Sequence, residues 1–232
     1  FVAVWTGVEM LVWQGDGSWW PPFRNAAYSP ETDTWRTIAP GGPGDSFVVW
    51  RASGVWTGKY VVICGGRWGQ DDSTGECLAY DPTGDSWSYA GGFSEGRVLA
   101  SLVWTGTEAI AWGGQHVEFW RGQIPLSTGA RFNPDTREWR PTRTSSAPPT
   151  RGGGLETDRL PSTTWTGVEM VVFGGGDFVG EDATLEGGAA YDPLTNLWTA
   201  VPNWSVQGGF SPQGHTAVWT GREILVWGGL QP

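Results

Sequence analysis

The chain has 232 residues, a formal net charge of −10 and a pI near 4.6, with 39% hydrophobic and 14% aromatic residues. That apolar content supports a sizeable core and excludes a disordered chain, while 24 acidic against 14 basic residues argue against nucleic acid as a partner, because phosphate contacts rest on Lys and Arg. No apolar run approaches the roughly 20 residues that span a bilayer, so no membrane span is expected.

From the N-terminus, Val4 and Trp5 close an apolar run. Thr6-Gly7 supplies a tight turn in which glycine takes a positive φ, and Met10-Leu11-Val12-Trp13 returns as a second strand. A loop leads to a third strand predicted to end at Tyr28. Ser29-Pro30 then turns the chain, because proline fixes φ and the short polar side chain bonds the backbone two residues on, and Trp35 opens a fourth strand.

The order recurs. Trp-Thr-Gly stands at Trp5, Trp56, Trp104, Trp165 and Trp219, at spacings of 48 to 61 residues. Paired glycines follow the second strand at Gly65-Gly66, Gly113-Gly114, Gly174-Gly175 and Gly228-Gly229, with Gln14-Gly15 in the first copy. The second half-motif reads AYSPETDTW from Ala27, AYDPTGDSW from Ala79, RFNPDTREW from Arg131 and AYDPLTNLW from Ala190.

A four-stranded unit of about 50 residues, with a glycine pair in its middle and Tyr-Asp-Pro-x-Thr-x-x-Trp near its end, resembles the kelch repeat. The resemblance covers nearly the whole chain. It implies an all-β fold, a kelch-type β-propeller in which each repeat is one four-stranded blade. The repeats divide residues 1–232, as one propeller domain, at about 1–46, 47–95, 96–150, 151–208 and a half blade 209–232. Eighteen strands make about four and a half blades. An open propeller would expose two strand edges, so further segments or another chain are expected to close the ring.

Both cysteines depart from the repeat in one unit. Cys64 stands where the others have Trp13, Trp112, Phe173 and Trp227, and Cys77 where they have Asn25, Gly129 and Gly188. These positions fall on neighbouring antiparallel strands, which a disulfide explains economically; two unrelated buried thiols are the alternative. An oxidised pair implies an extracellular or cell-surface protein. Arg outnumbers Lys 13 to 1, a usage associated with GC-rich bacterial genomes.

Twelve of the 18 tryptophans belong to the repeat and are expected to pack between blades. The other six are Trp19, Trp20, Trp68 and Trp120, in loops between strands two and three, and Trp50 and Trp204, in connections between blades. Because strands alternate in direction, both kinds of loop emerge on one face, and long loops on a rigid scaffold are where binding resides. Arg67, Asp71, His116 and Arg121 share these loops. Indole faces beside charged groups suit sugar rings, and equally suit a protein partner. The loop bearing Asp177, Glu181, Asp182 and Glu186 could hold calcium, although it lacks an EF-hand pattern.

Neither a nucleophile elbow, a zinc-protease helix nor a phosphate loop is present. His116 and His215 lie in different repeats and cannot by themselves supply three zinc ligands. No cofactor is expected. The recurring Glu9, Glu108, Glu169 and Glu223 mark a structural turn residue. The leading expectation is a secreted binding module for a glycan or protein. The alternative, which the resemblance raises, is a carbohydrate-active enzyme like galactose oxidase or a sugar mutarotase, with its site at the channel mouth.

Overall fold

Threonine organises every Trp-Thr-Gly turn. In the first copy Thr6 N–H donates to the Glu9 carbonyl at 2.9 Å, and the Thr6 hydroxyl accepts from Glu9 N at 2.9 Å. Thr57, Thr105, Thr166 and Thr220 repeat both bonds. The following Gly7, Gly58, Gly106, Gly167 and Gly221 sit at φ of 86–101°, a region costly for a residue with a Cβ.

The computed structural model describes residues 1–13, 25–40, 51–67, 72–118, 120, 122–150, 160–176, 187–202 and 214–229. Among these the fold is all-β, without a helix, and therefore without a helix long and apolar enough to cross a membrane. The first sheet holds β1 (Val2–Trp5), β2 (Met10–Trp13), β3 (Ala26–Ser29) and β4 (Thr34–Thr37), antiparallel and in chain order. The second holds β5 (Ser53–Trp56), β6 (Val61–Cys64), β7 (Glu76–Asp81) and β8 (Ser86–Gly92). In the third unit, β9 (Ser101–Trp104) and β10 (Ala109–Trp112) are followed by a separate hairpin, β11 (Gln115–Glu118) and β12 (Gly122–Pro125), before β13 (Gly129–Asn133) and β14 (Glu138–Pro141) complete the sheet. The fourth sheet is β15 (Ser162–Trp165), β16 (Met170–Phe173), β17 (Gly188–Asp192) and β18 (Leu197–Val201); the fifth unit shows β19 (His215–Trp219) and β20 (Ile224–Gly228). The inserted hairpin corrects the expected count of eighteen strands, since the repeat predicts a bare loop there.

The first strands of successive units are neighbours, β1 beside β5, β5 beside β9, β9 beside β15 and β15 beside β19. The core consequently lies in the seams between sheets. One cluster joins Leu11, Trp13 and Ile38 to Val61, Ile63 and Tyr80. A second joins Val62, Cys64 and Ala90 to Ala109 and Phe132, and a third joins Ile110 and Trp112 to Met170, Tyr191 and Trp198. This explains why β6 and β10 are buried at every residue whereas β2 alternates: an inner sheet is covered on both faces, the outermost on one.

The same geometry corrects the expectation that all repeat tryptophans are core. Trp35 is 58% and Trp227 84% exposed, because no neighbouring unit covers them among the described residues, while their counterparts Trp198 and Trp112 are buried. Of the Trp-Thr-Gly indoles, Trp5 is exposed, Trp219 is half-buried, and Trp56, Trp104 and Trp165 are half-buried and pack against the edges of the seam clusters.

Cys64 and Cys77 are direct partners in the β6–β7 register and form a disulfide, with Cα atoms 4.1 Å apart. In the third unit the same pair of positions is Trp112 over Gly129, where a Cβ on the glycine would sit 2.7 Å from the indole. The fourth unit pairs Phe173 with Gly188 in the same way. The cystine replaces a ring lying over a glycine.

Candidate ligand-binding loop face

Three segments meet beside the second and third sheets. Gly66 N donates to the Arg97 carbonyl and Thr74 N to the Gly66 carbonyl, tying the loop after β6 to the connection between the sheets. Val98 and Gln115 exchange backbone bonds at 2.9 Å, tying that connection to β11, and Leu99 N reaches the Arg51 carbonyl at 2.8 Å.

His116 sits where these segments join. Its Nδ1 is 2.7 Å from the Gly96 carbonyl, which can only accept, so Nδ1 carries a proton and donates it there. Ser73 Oγ lies 3.1 Å from the same nitrogen and accepts from Val117 N at 3.0 Å, while Nε2 faces Glu118 Oε1 at 3.4 Å. A serine, a histidine and a carboxylate in a row suggest nucleophilic catalysis. Here, however, the nitrogen beside the serine already holds its proton against a carbonyl, so it cannot act as base for that hydroxyl. The trio holds the loops together.

Arg97 is the buried cation of the cluster. Its Nη1 donates to the carbonyls of Gly113 (3.1 Å) and Thr128 (2.9 Å), its Nη2 to Thr128 Oγ1, and its guanidinium lies 4.7 Å from the Phe93 ring. Burial pulls its pKa down to about 10, so it stays charged at neutral pH. Arg67 is buried, and its backbone pairs with that of Ser73 in an isolated antiparallel bridge. Burial, and then the nearby positive charge of Arg67, also lowers Arg51. Three guanidiniums, Arg51, Arg67 and Arg97, thus gather beside these segments, with the Glu95 carboxylate acting on Arg97 and Glu118 facing His116.

Trp120 is 90% exposed, between β11 and β12. Of the residues singled out from sequence, Arg67 and His116 are brought together through Ser73, and Trp120 stands on the hairpin that carries His116. Trp19, Trp20, Trp50, Trp68, Asp71, Arg121 and Trp204 lie outside the described residues, as does the loop proposed for calcium. His215 begins β19, buried, with Nε2 2.8 Å from Ser162 Oγ, in a seam and away from this cluster. Among the described residues no three His, Cys, Asp or Glu side chains gather as a metal site.

Sequence reasoning missed Ser73 and Arg97. Neither occupies a repeat position, and the partners of their side-chain hydrogen bonds lie 16 to 44 residues away along the chain. No protein-family model matches the chain, and no curated protein matches it.

Proposed function

We propose that the chain is about four and a half blades of a kelch-type β-propeller, exported from the cell, that binds a glycan through the loop face of its second and third blades. The repeat, the seam-packed four-stranded sheets and the chain of adjacent first strands support the propeller reading. The Cys64–Cys77 disulfide supports export, since such bonds persist in oxidising compartments. The binding reading is carried by one observation: an almost fully exposed indole, Trp120, standing on a hairpin whose base is fixed by His116, Ser73 and Gly96. A hairpin held at its base lowers the backbone ordering cost of binding through the ring it carries. The indole offers its face to the C–H surface of a sugar, while Arg51 and Arg67 provide positive charge for an acidic substituent.

A glycan array probed with the native protein and with Trp120→Ala tests this. The expected outcome is a defined set of bound glycans, and at least a tenfold loss of binding in the variant, the size of effect typical of a tryptophan anchor. Undiminished binding by the variant, or a blank array together with capture of a protein ligand, would overturn the glycan reading.

A further inference from the structure

The hairpin that carries Trp120 is fastened at its base by one imidazole. Nδ1 of His116 donates to the Gly96 carbonyl at 2.7 Å, with Ser73 Oγ 3.1 Å from the same nitrogen. A backbone carbonyl accepts whatever the pH. Nδ1 therefore keeps its proton in both charge states of the ring, and the proton that a histidine gains or loses between about pH 5 and 8 is here the one on Nε2.

Nε2 faces a carboxylate. Glu118 Oε1 lies 3.4 Å from it, and the two side chains are only 21% and 29% exposed. With the ring neutral, Nε2 and the carboxylate are both acceptors, and the contact repels. With the ring charged, Nε2–H donates to Glu118 and the contact becomes a charge-assisted bond. Glu118 is the last residue of β11, two before Trp120, and its partner across the hairpin is Gly122, the first residue of β12. The turn that bears the indole thus springs from this pair.

The other elements packed against the ring bring charges of their own. Arg67 and Asp72 accompany Ser73 on the loop after β6, and Glu95 and Arg97 flank Gly96 in the connection, where Arg97 is engaged by the carbonyls of Gly113 and Thr128. Carboxylates and guanidiniums keep their charge across that interval of pH. The imidazole is the group that changes.

We propose that His116 is an acid-operated clamp on the Trp120 hairpin. Protonation of Nε2 ties Glu118, and with it the end of β11, to the loops of the second and third units; deprotonation releases it. The clamp rests on the loop-face reading and gives that face its regulation, a ligand being held more tightly in mildly acidic than in mildly alkaline surroundings. It closes only while the ring is charged and Glu118 is ionised.

The test reads the hairpin without a ligand. Amide protection factors of residues 115–118 and 122–125, corrected for the intrinsic pH dependence of exchange, are compared in the full chain at about pH 5.5 and about pH 8, either side of an ordinary imidazole. Protection is expected to be about two- to fivefold higher at the lower pH, the range that one partly exposed ion pair supports. Glu118→Gln, whose amide meets Nε2 as donor or acceptor, is expected to abolish the rise. So is His116→Asn, which keeps a donor toward Gly96 and does not titrate. Equal protection at both pH values in the native chain, a rise that survives Glu118→Gln, or a rise shared by β1–β4 overturns the proposal. Should His116→Asn fail to fold, Glu118→Gln decides the matter alone. The readout is separate from the glycan array: a hairpin that tightens in acid beside a blank array sinks the glycan reading alone, and bound glycan over a pH-independent hairpin sinks the clamp alone.

Discussion

Single side chains tie each unit to the one before it. Tyr80 Oη donates to Asp85 Oδ1 at 2.5 Å, and the same oxygen accepts from Ala39 N of the preceding unit at 2.8 Å. Tyr191, Asn196 and Arg143 N repeat the arrangement at 2.7 and 2.9 Å. The Tyr80 hydroxyl, with Ala39 N–H second, holds Asp85 below the usual carboxylate range, and burial followed by the bond to Asp85 pushes Tyr80 up to about 12. Asp85 and Asn196 take a left-handed backbone, which short polar side chains tolerate. The third unit has Phe132 and Arg137 at these positions, so hydroxyl and acceptor are lost together. The following tryptophans add the second tie. Trp198→Phe keeps a six-membered ring but removes the pyrrole ring with its N–H donor to Arg143, and is expected to cost about 1–3 kcal/mol. Trp198→Ala opens the seam and is expected to cost about 3–5 kcal/mol. Urea titrations of the two variants check the order; equal losses would mean that the ring contributes nothing beyond its hydrogen bond.

At the scale of elements, regular positions were legible and irregular ones were not. Five copies of Trp-Thr-Gly and four of the proline turn marked the strands of the sheets, because a repeated turn sequence repeats a local energy minimum. The β11–β12 hairpin falls where the sequence predicts a loop. Its strands have four residues each, and Gly122, at φ 86°, is its one clear turn signal. The cystine was legible because two departures fell on aligned positions. What the alignment did not reveal is the local repacking. Cys64 leaves no indole to meet the next unit, and Phe93, beyond the end of β8, packs edge-on against Trp139 instead, with ring centres 4.8 Å apart. The disulfide closes a loop of 13 residues and is expected to add about 3 kcal/mol by restricting the unfolded chain. Cys64→Ala/Cys77→Ala should lose about that much in denaturant titration. A loss equal to that of native protein in reductant would agree; a double variant as stable as the oxidised protein would show the bond to be redundant.

For the whole molecule, the sequence carried the all-β class and the order of strands within sheets, since both follow from local periodicity. It carried the candidate loop face only in outline. The one-sidedness of the loops follows from strand alternation, but the contacts among Ser73, Gly96 and His116 arise where two units and their connection meet, and no local pattern encodes them. The two exposed indoles at the ends of the array, Trp35 and Trp227, belong to the same scale: each is the half of a seam that a neighbouring unit covers elsewhere.

The central claim is that recognition takes place on the loop face of the second and third units. Hydrogen–deuterium exchange of the full chain, with and without the oligosaccharide that binds most tightly on the array, addresses it most directly. The expected result is ligand-dependent protection in residues 65–76, 93–100 and 113–126, with none in the Trp-Thr-Gly turns on the opposite side. Protection confined to those turns, or absent from the three loop segments, would contradict it.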